Sequence, residues 1–250
     1  MGRIIAALML REMATTYGKS AGGYVWALLE PVLGIALLST VFALSFHKPA
    51  LGTNFPLFYA SGFLPFIMFN DMSNKTAASI RFSRPFLAYP SVTFMDAILA
   101  RMILNTMTHA CVIGIVLAGI IIIFQLPMNV RIGPVLESLM MVVMLGVGIG
   151  VLNCYLITSF PVWERIWHIL TRPLFLVSGV FFTYDMMPPI AQNILWYNPL
   201  IHCVGMMRRG LYPTYEGSYI SISYVFGLSA VLLFFGLLLL LRNYRDLMER

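Results

Sequence analysis

The groups that could do ionic or nucleophilic chemistry are few in this chain of 250 residues: sixteen lysines and arginines, ten carboxylates, four histidines and three cysteines. Their spacing argues against most such chemistry. Gly18-Lys19-Ser20 resembles the end of a phosphate-binding loop, but G-x-x-x-x-G-K-[ST] requires a glycine where Met13 stands, so the match is fortuitous. His47, His109, His168 and His202 share no metal-ligand spacing and read as structural or interfacial. Cys111, Cys154 and Cys203 form no CxxC and read as small buried hydrophobes. There is no G-x-S-x-G elbow and no close carboxylate pair for acid-base work. What remains are charges in unusual places. Asp71 stands four residues before Lys75, a spacing that favours an ion pair over a proton-coupling site. Glu30 precedes Pro31 at the opening of an apolar run and reads as interfacial. Arg172 falls inside another run, where a guanidinium must either face a polar pathway or snorkel to the interface. Arg208 and Arg209 are adjacent cations between two long apolar segments.

The elements that must position these groups follow from composition. With 60% hydrophobic and 10% charged residues, against about 25% charge in soluble domains, this is an integral membrane protein. The apolar runs reach about 18 residues or more, the length of bilayer-crossing helices, and stretches such as VIGIVLAGIIIIF are continuous, whereas barrel strands would alternate apolar and polar residues. The N-terminal stretch, interrupted by Arg11, Glu12 and Lys19, does not read as a signal peptide. The net charge of +6 flanks membrane segments, where it sets topology, so it does not imply nucleic-acid binding.

The fold class is therefore all-α, with six spans expected near Ala27 to Phe46, Leu57 to Asn74, Ile98 to Phe124, Pro134 to Phe160, Ile166 to Thr183 and Tyr219 to Leu241. An even number puts both termini on one side. That side gathers eleven cations, including Arg3, Arg11, Lys75, Arg81, Arg84 and Arg101, against four on the other, so the positive-inside rule makes it cytoplasmic. No internal repeat of the secondary-transporter kind is visible. Residues 3–17 fit an interfacial helix, and Lys75 to Arg101, broken by Pro85 and Pro90, fits a basic cytoplasmic connection. Gly146 and Gly150 make a GxxxG face for close helix packing, within or between subunits. Asn198-Pro199 suits a helix start and Gly210 with Pro213 its stop. Arg208 and Arg209 would then meet the negative end of that helix's dipole. Two adjacent cations cannot share one face, so one is expected to hold a headgroup or carbonyl while the other faces an exit path.

Three segments, REMATTYGKSAGGYVWALLEP, VWERIWHILTRPLFLVSGVFFTYDMMPP and NPLIHCVGMMRRGLYP, resemble the membrane subunit of type-2 ABC exporters, closest to the permeases of capsular-polysaccharide export. The resemblance covers nearly the whole chain. It implies a single transmembrane domain over residues 1–250, in a homodimer in the bacterial inner membrane. Each copy would dock a cytoplasmic ATPase that holds the ATP and Mg, with no cofactor on this chain. It implies ATPase contacts through the first helix and a coupling helix within Lys75 to Tyr89, so Arg3, Arg11, Lys75, Arg81, Arg84 and Pro85 are the coupling candidates. Short re-entrant helices over Pro188 to Pro213 would close the outer end, making Asn198, Pro199, His202, Arg208 and Arg209 the gate candidates. Gly205 stands where relatives of this type carry an acidic residue.

The substrate implied is a large hydrophilic polymer, anionic and lipid-linked. Carbohydrate stacks on aromatic faces, so Phe63, Phe66, Phe69, Phe181, Phe182 and Tyr184, with Arg172, are candidates to line the channel, although each ring singly suits core packing or interfacial anchoring. Rival expectations are an exporter of O-antigen, teichoic acid, lipid or drug. From a different class come a membrane-embedded enzyme or a passive channel; the enzyme would need a convergent polar site at one membrane depth.

Overall fold

The computed structural model describes residues 2–16, 23–87, 89, 92–127 and 130–249; Gly18-Lys19-Ser20, Tyr17, Pro90 and Arg250 lie outside these. The regular elements among the described residues are all helical. They are α1 (Gly2–Thr16), α2 (Tyr24–Ser45), α3 (Phe55–Ala77), α4 (Ser79–Leu87), α5 (Phe94–Ile123), α6 (Ile132–Ser159), α7 (Val162–Val177), a 3₁₀ turn (Tyr184–Met186), α8 (Pro189–Leu195), α9 (Pro199–Leu211) and α10 (Ile222–Glu249).

Local chemistry sets several of these boundaries. Asn54 caps α3, its side-chain oxygen accepting the Leu57 N–H at 3.0 Å, and Pro56 follows in the first turn, where its missing N–H costs nothing. Thr93 and Asp96 form a reciprocal capping box that starts α5. Asn198 caps α9 by accepting from the Leu200 N–H at 3.1 Å, so that helix begins and ends where Asn198-Pro199 and Gly210 indicate.

Four helical segments among the described residues are long and apolar enough to cross a membrane: Val25–Ser45, Phe94–Ile123, Ile132–Ser159 and Ile222–Asn243. α3 has the length, 23 residues, but carries Asn70, Asp71, Asn74 and Lys75 towards its end. The expected fifth span, Ile166 to Thr183, is displaced. Its helix, α7, covers Val162–Val177, and 16 residues reach only about 24 Å. The chain leaves the helix at Ser178 and turns at Gly179, whose φ of +78° is open to glycine and strained for other residues. Residues 178–183 then fold inward, where Ser178, Gly179 and Val180 are buried.

α6 is the hub, packing against α3, α9 and α10. Its glycines are split between two neighbours. A Cβ at Gly146 would lie 2.7 Å from Met72 Cβ, and one at Gly150 would lie 2.6 Å from Thr76 Cβ, both on α3. A Cβ at Gly148 would lie 2.7 Å from the Ser229 carbonyl oxygen on α10. The GxxxG face thus packs within the subunit, and the middle glycine serves the opposite face. α2 lies outside on α3, and α7 contributes no buried residue. Two ends result. The basal end carries α1, α4 and the α6–α7 corner; the apical end carries residues 46–54, 124–127, 130–131 and 178–221.

Candidate functional site

At the apical end α9 is embedded between α3 and α6. Arg208, in its last turn, is 1% exposed. Its Nη1 donates to the Phe182 carbonyl at 2.7 Å, its Nη2 to the Val180 carbonyl at 3.3 Å, and its Nε to the Ser61 hydroxyl at 3.4 Å. The guanidinium sits 4.5 Å from the centroid of the Phe58 ring. No carboxylate forms a salt bridge with it among the described residues. A buried cation costs several kcal/mol unless donors and dipoles replace its water, and here the carbonyls turned inward by residues 178–183 do so. Gly62 makes this possible: a Cβ there would lie 2.9 Å from Val180 Cα.

Capping of its own helix does not describe Arg208, whose hydrogen bonds go to another segment. Arg209 is exposed. His202 is buried and held in one neutral tautomer, with Nε2 2.8 Å from the Trp196 carbonyl it donates to, and Nδ1 accepting from the Ser221 N–H at 3.2 Å. Asn198 also donates through Nδ2 to the Val177 carbonyl at 3.0 Å, tying α9 to the end of α7. The Arg131 N–H donates to the Gly210 carbonyl at 2.8 Å, joining the end of α9 to the start of α6.

Gly205 packs beneath Tyr219: a Cβ there would lie 2.3 Å from the phenol oxygen, so this chain fills with a tyrosine the space that a larger residue would need. Tyr219 also stacks on Tyr184 at 4.0 Å between centroids and lies 3.1 Å, oxygen to oxygen, from Tyr215. Burial pushes the phenols of Tyr215 and Tyr219 up, so both remain protonated donors at neutral pH.

The aromatic candidates for a channel are divided by burial. Phe66 and Phe69 are 8% and 1% exposed and belong to the core, not to a surface that a channel could wet. Phe63 is half-buried, and Phe63, Phe66 and Phe181 cluster around Phe175 of α7 at centroid separations of 5.9, 4.9 and 5.1 Å. Phe181 also lines a small apical hollow with Phe42, Phe46, Phe55 and Tyr59. Phe182 and Tyr184 are half-buried, and Arg172 is exposed.

At the basal end the coupling candidates meet in an ionic junction. α4 is nine residues long, with Arg81, Arg84 and Pro85 exposed. Arg81 forms a bidentate pair with Glu164 in the first turn of α7, at 3.3 and 3.1 Å. Arg11 of α1 lies over Phe82 and Phe86 of α4, 4.9 and 4.0 Å from their centroids. Arg101 of α5 pairs with Glu12 of α1 at 3.2 Å, with both side chains nearly excluded from solvent. Its guanidinium lies 4.3 Å from the Phe82 centroid and donates to the Lys75 carbonyl. α1, α4, α5 and α7 are thus linked through five charged side chains, Arg11, Glu12, Arg81, Arg101 and Glu164. Arg3 is exposed on α1. Lys75 pairs with Asp71 at 2.9 Å as its spacing indicates, and His109 of α5 joins them, 3.2 Å from the same carboxylate oxygen.

Sequence reading missed Glu12, Arg101, His109 and Glu164 as partners, because each contact joins helices far apart in the chain. Two of the three apical acceptors of Arg208 are backbone carbonyls, which carry no side-chain signature at all.

The family model of the ABC-2 type transporter matches residues 3–212. The chain is 29% identical over 238 residues to the polysialic acid transport protein KpsM of Escherichia coli, covering 94% of this chain and 91% of that protein. It is 27% identical over 235 residues to the capsule polysaccharide export inner-membrane protein CtrC of Neisseria meningitidis serogroup B, covering 94% and 89%. It is 26% identical over 238 residues to the capsule polysaccharide export inner-membrane protein BexB of Haemophilus influenzae, covering 95% and 90%. A match over most of the chain, on a helical bundle with bilayer-length segments, means that the chain belongs to the ABC-2 type transporter family.

Proposed function

We propose that this chain is the membrane subunit of an exporter that moves a capsular polysaccharide across the bacterial inner membrane, driven by ATP hydrolysed on a separate subunit. The observation that carries this reading is the similarity, over nearly its full length, to two proteins named for capsule polysaccharide export and one named for polysialic acid transport. In this reading the basal end is cytoplasmic, in keeping with the eleven cations against four that the sequence assigns to the two sides, and both termini lie on that side.

The ATPase docks on α4 and α1. The exposed Arg81, Arg84 and Pro85 offer it a short rigid element. The Arg81–Glu164, Arg11–Phe82 and Arg101–Glu12 contacts pass a rigid-body movement of that element to α7, α1 and α5. Two copies assemble, and the apolar faces of α2 and α7 left uncovered in one chain, such as Leu37, Leu44, Ile169 and Leu170, are where a second copy packs. Between them passes a lipid-linked, anionic polymer, with Arg209 and the rings beside Phe181 at its exit.

Deleting the gene and locating the polysaccharide by fractionation tests the reading. Polymer is expected to accumulate inside the cell and to return to the surface when the intact gene is restored. Unchanged surface polymer in the deletion strain would overturn it.

A further inference from the structure

α2 packs chiefly on α3 and touches α5 only lightly, and two hollows occupy the gap. One, of about 500 Å³, is walled by apolar side chains such as Met9 and Met13 of α1, Leu28 of α2 and Met107 and Ile115 of α5. The other, of about 310 Å³, contains Glu30, Asp71, Lys75 and His109. Ala27, Thr108 and Val112 line both, so the hollows are two sides of a single gap. Each has the size of a small-molecule site. One side suits hydrocarbon and the other a headgroup.

The charges on the polar side discriminate between headgroups. Asp71 is already engaged by Lys75 and His109. Glu30 lines the hollow with no hydrogen bond or ion pair among the described residues. It is exposed in the second turn of α2, beside the apolar groove and within the span Val25–Ser45, where in a bilayer a carboxylate calls for a cationic partner. A primary ammonium supplies charge and three N–H donors. A phosphate on the same molecule would meet the positive charge of Lys75 beyond it.

We propose that the gap between α2 and α5 binds one zwitterionic phospholipid with a primary amine, a phosphatidylethanolamine. Its ammonium pairs with Glu30 and an acyl chain lies along Met9, Leu28 and Met107. The lipid fills the contact that α2 does not make with α5, and holds α1 against the bundle. This requires only that the chain sits in a bilayer, and it does not depend on which substrate is exported.

Native mass spectrometry of the purified full-length chain, exchanged into detergent with equimolar phosphatidylethanolamine, phosphatidylcholine and phosphatidylglycerol, tests the proposal. One phosphatidylethanolamine per chain is expected to be retained. Glu30→Gln should cut its occupancy roughly tenfold or more, as for a lost charge-assisted hydrogen bond. Ala27→Phe, which narrows the gap without altering charge, should displace the lipid as well. Retention of phosphatidylglycerol or phosphatidylcholine at equal occupancy, absence of bound lipid, or unchanged binding by Glu30→Gln would overturn the proposal. So would disulfide crosslinking between copies through a cysteine at position 107, which would place a second chain in the gap.

Discussion

The two ends of the molecule use arginine in opposite ways. At the apical end Arg208 is sealed among backbone carbonyls and an aromatic ring, and no carboxylate pairs with it among the described residues. At the basal end Arg81 is 66% exposed and bridges to Glu164 across the junction of α4 and α7, while Arg11 and Arg101 stack on rings of α4. A sealed arginine is a brace, because every alternative position strands three acceptors. An exposed bidentate pair is a joint, since water can replace either partner at little cost. The difference suits a machine that receives force at one end and keeps the geometry of the other.

Breaking the brace should have the largest effect. Arg208→Ala leaves the carbonyls of Val180 and Phe182 unsatisfied beside a new cavity, and should destabilise the chain by about 4 kcal/mol. Thermal unfolding in detergent would measure this. Arg209→Ala, at an exposed position, should cost only about 0.3 to 1 kcal/mol. Equal losses from the two would contradict the placement of Arg208.

Next is the one deeply buried contact at the basal end. Glu12→Gln leaves the Arg101 guanidinium buried without its carboxylate, a loss of about 3 kcal/mol. Replacing both residues by methionine should recover part of it, as seen in the same melting experiment. If the single variant melts like the parent, α1 is not held by this pair.

The glycine seam lies between the two ends and sharpens the comparison. Gly148→Ala drives a methyl group against the backbone of Ser229 and should cost about 1 to 3 kcal/mol. Gly114→Ala on α5, with nothing within 4 Å of the new Cβ, should be neutral or slightly stabilising. The smallest effect on stability belongs to the joint: Arg81→Ala should cost less than about 1 kcal/mol, yet reduce surface polysaccharide sharply at matched protein level. Normal export by this variant would remove Arg81 from the coupling path.

The sequence made the helical architecture legible because bilayer-length apolar runs and caps such as Asn198-Pro199 act locally. The close approach of α6 to another helix was visible at Gly146 and Gly150, although only coordinates assign them to α3 and Gly148 to α10. The fifth span was misplaced for a physical reason. Residues 178–183 are apolar enough to continue a helix, but Gly179 turns them inward to bind Arg208, and hydropathy cannot distinguish a helix from a loop buried in protein. The same limit hid the burial of Phe66 and Phe69. Ring composition was plain, whereas the facing helix that covers them was not. Glu12–Arg101 and Arg81–Glu164 were unreadable because no periodicity links residues on separate helices.

The proposal that a jointed basal end passes movement to a braced apical end requires energy from a separate subunit. Reconstitution tests this most directly. Liposomes containing this chain with its cognate ATPase bound outside are given lipid-linked polysaccharide and ATP, and polymer protected from an added glycosidase is measured. Protected polymer should accumulate only when the chain, the ATPase and ATP are all present. Accumulation driven by this chain alone, or by the ATPase with an unrelated membrane protein, would contradict the account.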